Sequence, residues 1–188
     1  MRFCLPVVLA VVLCACGQQS APEGAKAALD TVPDAGPCDR FEAPLTIEVI
    51  ASNCNGCTIS NPELAIDGDL RTYAIVTVPA NPLGTGTMAV RVSSPTAMPP
   101  HLLPGAFISW QASLTAPFVG EGYDVNTYLL GEFQETSDYA HTIGRTGPSA
   151  GYAGGQTTKP FDAVEFKLFQ PTQTAAIVNL HDFCSDGG

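Results

Sequence analysis

The folded part of this chain is marked by apolar residues at every second position. From residue 44 onward this alternation recurs in short segments, and a period of two is typical of half-buried β-strands. The clearest segments are 45–49, 88–93, 108–114, 164–168 and 176–180. Each of them predicts a strand with one apolar face turned towards a core.

Other segments predict different elements. Segment 73–78 is apolar on both faces, which predicts a more central strand. Segment 125–136 predicts a hairpin that turns near Leu130-Gly131, and 139–144 predicts a weak strand. The only helical element expected is one turn over 62–66. With about eight short strands separated by Gly- and Pro-rich loops, the predicted fold is all-β: a single antiparallel β-sandwich of jelly-roll type over residues 38–188.

Composition supports this fold and narrows the partners. Charged residues make up only 14% of the chain, too few for the outer faces of a helical bundle, whereas 18 Gly and 16 Pro suit many turns. The net charge is −10, and the few Lys and Arg residues are scattered singly. Because binding to phosphates needs clustered cations, nucleic acid is not an expected partner.

The first residues carry an export pattern. A positive Arg2 precedes an apolar stretch that is too short to span a bilayer, and Leu13-Cys14-Ala15-Cys16 follows. This segment resembles the lipobox of bacterial lipoproteins, which implies removal of residues 1–15 and lipidation of Cys16. Gly17, by the same resemblance, implies the outer membrane or cell surface. The alternative is an ordinary signal peptide with an incidental cysteine.

Residues 16–37 predict a flexible tether, because they hold few large apolar side chains. An acidic domain is repelled by anionic lipid, so membrane attachment is expected through the lipid anchor only.

Four cysteines remain after the lipidated one, and an oxidising compartment favours two disulfides among them. Three pairings are open; the preferred one joins Cys38 to Cys184 and Cys54 to Cys57, because Cys38 and Cys184 bracket the predicted domain. The CxxC spacing of Cys54 and Cys57 also occurs in redox pairs and zinc sites. However, Asn55-Gly56 between them favours a tight turn, and no second metal-binding pair follows.

The sharpest motif is NPELAIDGDLRTY at residues 61–73. It resembles the loop of galactose-binding-like domains, the discoidin type of jelly roll, which in many members wraps a structural calcium ion. Carried over by position, the resemblance implies Asp67, Asp69 and Thr72 as metal residues. Asp182 is a further candidate ligand, because calcium takes six to eight oxygens. The alternative is that the two aspartates only stabilise the turn by accepting hydrogen bonds from backbone N–H groups.

A second resemblance covers most of 44–183. The segments DGDLRTYA (67–74), NTYLLGEFQE (126–135) and TTKPFDAV (157–164) resemble a repeated extracellular module in large surface proteins of gliding and adhesive bacteria. This resemblance implies surface presentation and adhesion. Leu130 stands where that module usually has Asn, so the hairpin turn is expected to differ.

No enzyme signature is found. The histidines at 101, 141 and 181 are isolated and are expected in loops or at the surface, and the local group Ser137, Asp138 and His141 lies in a Gly-rich stretch. Trp110 is expected in the core, whereas loop tyrosines are better candidates for stacking on a glycan: Tyr123, Tyr139 and Tyr152.

The function expected from these features is a surface-anchored binding or adhesion module whose ligand is a glycan or a surface protein. The alternative is a structural envelope lipoprotein that acts through a protein partner. A hydrolase is the third hypothesis, but it lacks a nucleophile and a base.

Overall fold

Two antiparallel sheets of five strands each form the structure, a computed structural model that describes residues 39–110, 122–137 and 150–187. The strands are β1 (Thr46–Ser52), β2 (Thr58–Ser60), β3 (Ala74–Val78), β4 (Thr87–Met98), β5 (Gly105–Trp110), β6 (Tyr123–Leu129), β7 (Glu132–Thr136), β8 (Ala150–Gly154), β9 (Phe161–Phe169) and β10 (Ala176–Cys184). The first sheet has the order β1-β4-β9-β6-β7 and the second the order β2-β3-β10-β5-β8. The predicted all-β sandwich is therefore confirmed.

The core lies between the sheets and is built from the alternating apolar positions. In the first sheet, Val90, Val92, Val164 and Phe166 are at most 1% exposed, and residues of β3, β5 and β10 meet them from the second sheet. β9 and β10 lie in the middle of their sheets, so pairing on both sides buries most of their length. The apolar faces predicted for 88–93, 164–168 and 176–180 are confirmed.

Several local predictions are also confirmed. A short 3-10 helix at Pro62–Ala65 lies within the helical turn expected over 62–66. β6 and β7 form the predicted hairpin, with both turn residues at positive φ: 52° at Leu130 and 81° at Gly131. This pattern is that of a two-residue type I′ turn, which matches the twist of the flanking strands.

The structure departs from the sequence prediction at the edges of the sheets. The described residues hold ten strands rather than about eight, and the strands not foreseen, β2 and β8, each lie at an edge of the second sheet. In β1, also an edge strand, Val49 is 40% exposed, although the continuous register places it opposite the core residue Val90. The weak strand expected at 139–144 lies outside the described residues. Within the described residues, no helix has the length and apolarity needed to cross a bilayer.

Candidate functional site

The loop of the 61–73 motif is held by its own hydrogen bonds. Asp67 accepts the backbone N–H of Asp69 at 2.8 Å through one oxygen, and its other oxygen lies 2.7 Å from the Thr72 hydroxyl. Asp69 accepts the backbone N–H of Arg71 at 3.0 Å and pairs with the Arg71 guanidinium at 2.8 and 2.9 Å. Hydrogen bonding by Arg71 lowers the pKa of Asp69 from 3.8 to about 2. The turn-stabilising role that was the alternative to metal binding is therefore present.

A second arginine enters the same loop from the start of the domain. The Arg40 guanidinium donates to the backbone oxygen of Gly68, and its Nε lies 3.3 Å from Oδ2 of Asp182. The side chain of Asp182 is 3% exposed, and its other oxygen accepts the backbone N–H of Phe183 at 3.0 Å. Burial raises the pKa of Asp182 to about 6, against the lowering effects of Arg40 and the Phe183 N–H.

Through Arg40, the structure thus links Asp182 to the loop that carries Asp67, Asp69 and Thr72. The charge of Asp67 also raises the pKa of Asp182. The oxygens of Asp67 and Asp69, however, already accept hydrogen bonds from the chain itself, and the buried Oδ2 of Asp182 is ion-paired with Arg40. In the described residues, no group of three or more His, Cys, Asp or Glu side chains has an arrangement that could hold a metal ion. The donor set therefore does not fit a calcium ion.

The cysteines follow the predicted pattern as far as they are described. Cys54 and Cys57 form a disulfide bond, with their Cα atoms 5.6 Å apart, which confirms the structural disulfide predicted there. Cys184 is also disulfide-bonded. Cys16 and Cys38 lie outside the described residues, so lipidation and the Cys38–Cys184 pairing stay predictions.

Two of the three candidate tyrosines pack inside the protein. Tyr123 contacts Trp110 and Phe166, with ring centroids 6.2 and 5.4 Å away. Tyr152 contacts Phe107 at 5.2 Å and donates its hydroxyl hydrogen bond to the backbone oxygen of Leu103.

These contacts give both rings a packing role, and each ring is only partly exposed. The third candidate, Tyr139, lies outside the described residues. Trp110, 2% exposed, lies in the core as predicted.

The expectation for His181 was wrong. It is 3% exposed on β10, where its Nε2 lies 2.8 Å from the Ser109 hydroxyl and its Nδ1 lies 2.9 Å from the backbone oxygen of Leu70. The reason is that the loop after the 3-10 helix covers the outer face of β10 here. His101 is exposed in a loop as expected, whereas Asp138 and His141 lie outside the described residues.

A polar ladder that was not predicted from the sequence crosses the outer face of the first sheet. Each strand contributes one side chain, and the strand register places successive members directly opposite each other. The ladder, in order across the sheet, is Glu48, Arg91, Glu165, Asn126 and Thr136. Because the residues that flank these positions along β4 and β9 point into the core, the ladder points away from it.

Hydrogen bonds run along the whole ladder. Arg91 donates to Glu165 at 2.7 Å and to Glu48 at 3.4 Å. Asn126 donates to Glu165 at 3.0 Å and accepts the Thr136 hydroxyl at 2.8 Å. Glu165 lies at the middle of the network and is only 4% exposed, whereas the side chain of Glu48 is 62% exposed.

An aromatic pair flanks the ladder. The Tyr128 hydroxyl donates to Glu165 at 3.0 Å, and the Arg91 guanidinium lies 3.7 Å from the centre of the Tyr128 ring. Burial and the charge of Glu165 raise the pKa of Tyr128. Burial lowers the pKa of Arg91, but Glu165 outweighs it and raises that pKa overall.

Phe133 pairs with Tyr128 across the hairpin. The two rings meet edge to face at 5.9 Å, and Phe133 is 56% exposed. The Tyr128 ring is thus held in place by its contacts with Glu165 and Arg91, whereas the Phe133 ring is accessible to solvent. The polar residues of this surface occupy alternate positions of β4, β6 and β9 in the sequence. Only the pairing of these strands shows that the polar residues lie side by side.

Comparison with known proteins gives structural matches only. No protein-family model and no curated protein sequence matches the chain.

Among solved structures, the CBM32 module of AlyQ, in complex with 4,5-unsaturated mannuronic acid, matches with a TM-score of 0.43 at 12% identity, covering 77% of this chain and 95% of that one. Chitosan-binding module 1 from a chitosanase/glucanase of Paenibacillus sp. IK-5 matches with a TM-score of 0.40 at 14% identity, over 73% and 92%. A Streptococcus pneumoniae fucose binding module matches with a TM-score of 0.41 at 12% identity, over 83% and 99%. Similarities at this level do not identify a family for the chain.

Proposed function

We propose that this protein is a non-catalytic binding module that holds a hydroxyl-rich glycan on the outer face of its first sheet. The observation that carries the proposal is the polar ladder of Glu48, Arg91, Glu165, Asn126 and Thr136 beside the exposed ring of Phe133.

The chemistry of the ladder suits sugar hydroxyls, which both donate and accept hydrogen bonds. Carboxylate, guanidinium, amide and hydroxyl groups lie side by side and are held in place by one another. Such fixed polar groups orient a ligand at little entropic cost. The Phe133 ring adds an apolar surface against which the C–H groups of a sugar can pack.

The charge of this surface further limits the class of glycan that we expect it to bind. The ladder contains two carboxylates and one guanidinium, and the chain as a whole carries a net charge of −10. A uronic acid or a sulfated sugar would meet a negative potential over this face, so the proposed ligand is a neutral sugar or an amino sugar.

We further propose that the module works at the cell envelope, attached through a lipid on Cys16. The support is the lipobox-like segment described above and the even number of cysteines that remain after it. Mass spectrometry of the mature protein tests this point, since a free, unmodified amino group or cleavage elsewhere would contradict it.

The binding proposal is tested with a glycan array on the purified full-length protein. We expect binding to neutral or amino sugars that Phe133→Ala weakens at least tenfold. Leu83→Ala is the matched control, because Leu83 is an exposed apolar residue, 75% exposed, outside the ladder and the aromatic pair. Binding that survives Phe133→Ala, or is lost equally in both variants, would contradict the proposed surface.

A protein partner is the second candidate, favoured by the hairpin tip. Leu130 is 86% exposed next to Phe133, and exposed apolar residues at a strand turn are typical of protein contacts. Leu130→Asp separates the two functions: it would abolish capture of a protein partner but leave glycan binding on the sheet face intact.

A further inference from the structure

We propose that the cation of the Asp67–Thr72 loop is the guanidinium of Arg40, and that this loop therefore folds without a metal ion. The inference is independent of the glycan surface, because the loop lies on the second sheet, where the backbone oxygen of Leu70 contacts His181 of β10. It rests on the contacts that Arg40 makes with oxygen atoms of Gly68 and Asp182.

The first observation is the position of Arg40. Its guanidinium lies between the backbone oxygen of Gly68 and the carboxylate of Asp182, two groups that are 114 residues apart in the sequence. Both are oxygen ligands of the kind that a hard cation needs. A guanidinium offers a single positive charge together with directed N–H donors.

The second observation is the space that Gly68 provides. Gly68 has φ +77°, and a Cβ atom built there would overlap the Arg40 guanidinium. The lack of a side chain therefore serves the turn and also makes room for Arg40. The space left by the missing side chain of Gly68 is therefore filled by a side chain of the protein itself, the Arg40 guanidinium.

The third observation is the burial of Asp182. Its carboxylate is 3% exposed, and Oδ2 is not hydrogen-bonded in the described structure, so the charge on Arg40 is its compensation. A buried carboxylate without such a charge is costly. Arg40 itself is 55% exposed, so its own desolvation is small. The ion pair with Asp182 holds Arg40 in place, and the preceding residue, Asp39, forms a β-bridge with Asp186 beyond β10.

The test combines calcium titration with thermal melting of the full-length protein. We expect no calorimetric binding of Ca²⁺, and a melting temperature that is the same in EDTA and in millimolar CaCl₂, because a ligand of the native state must stabilise it by mass action. Arg40→Met should lower the melting temperature by roughly 5 °C or more by leaving Asp182 unpaired. Adding Asp182→Asn should restore at least half of that loss.

Arg71→Met is the matched control, because its guanidinium pairs with Asp69 in the same loop but is 83% exposed. It should change the melting temperature far less than Arg40→Met does. Stoichiometric Ca²⁺ binding with a higher melting temperature in the unmodified protein would overturn the proposal, as would an Arg40→Met variant as stable as the parent. If Arg40→Met does not fold, the calcium titration of the unmodified protein decides.

Discussion

Replacing Asp182 by Asn should make the protein more stable at neutral pH and leave it nearly unchanged in acid. The carboxylate is 3% exposed, and burial raises its pKa from 3.8 to about 6. The folded state therefore binds the proton more tightly than the unfolded chain does. The resulting stabilisation is fully present below about pH 4 and is lost as the pH rises through about 6.

The magnitude follows from the shift. About two pKa units, at 1.36 kcal/mol each, give about 3 kcal/mol between the two ends of this range. Asn has no proton to release, and its side-chain oxygen can still accept the Phe183 N–H. The free energy of unfolding of Asp182→Asn minus that of the parent should therefore increase by about 3 kcal/mol from pH 3.5 to pH 7.5.

Urea unfolding followed by tryptophan fluorescence measures this difference. Trp110 is the single tryptophan and is 2% exposed, so its emission reports on the core. Asp69→Asn is the control with the opposite sign, because hydrogen bonding by Arg71 lowers that pKa to about 2. The stability due to Asp69 is present above about pH 4 and is lost towards pH 2, so this variant should run parallel to the parent above pH 4. If the free energy of unfolding of Asp182→Asn also ran parallel to that of the parent from pH 3.5 to pH 7.5, the burial cost assigned to Asp182 would be refuted.

Three further changes have defined outcomes. Replacing Cys54 and Cys57 by Ser should lower the free energy of unfolding in urea by about 2 kcal/mol, the chain-entropy value for a four-residue loop; an unchanged midpoint would contradict it. Leu130→Asn should raise that free energy by about 1 kcal/mol, because Asn tolerates the left-handed backbone that Leu130 adopts, and a loss of stability would count against the type I′ turn. Glu165→Ala should cost about 3–5 kcal/mol, because it removes the buried carboxylate to which Arg91, Asn126 and Tyr128 all donate. A double-mutant cycle with Arg91→Met measures their coupling, and additive losses would show that the pair is not coupled.

The fold was predictable because its signal is local. Strands such as β4 and β9 alternate apolar and polar residues over their buried length, and one residue of slip would turn every apolar side chain outward. β8 was not predictable in this way. Its sequence, Ala-Gly-Tyr-Ala-Gly, consists mostly of small residues, and it becomes a strand because β5 offers it a free edge.

The site was less predictable because its contacts join distant residues. Arg91 and Glu165 are 74 positions apart, and neither is unusual within its own strand. Arg40 lies 28 positions before Gly68, next to a segment whose composition predicts only a tether. The motif located the loop but left open whether a metal ion or its own hydrogen bonds stabilise it, because the contact between Arg40 and Asp182 could not be identified from the sequence alone.

The two sheets therefore carry different roles. The second sheet lies beside both ends of the domain, where Asp39 pairs with Asp186 and Arg40 pairs with Asp182. The first sheet carries the polar ladder on the face directed away from the second sheet. A tether over 16–37 would join the domain beside Asp39 and has an expected reach of roughly 25 Å. If Cys16 is lipidated, the membrane attachment thus enters next to the end of β10, and the exposed side chains of Glu48 and Phe133 face a ligand that approaches the opposite side of the sandwich.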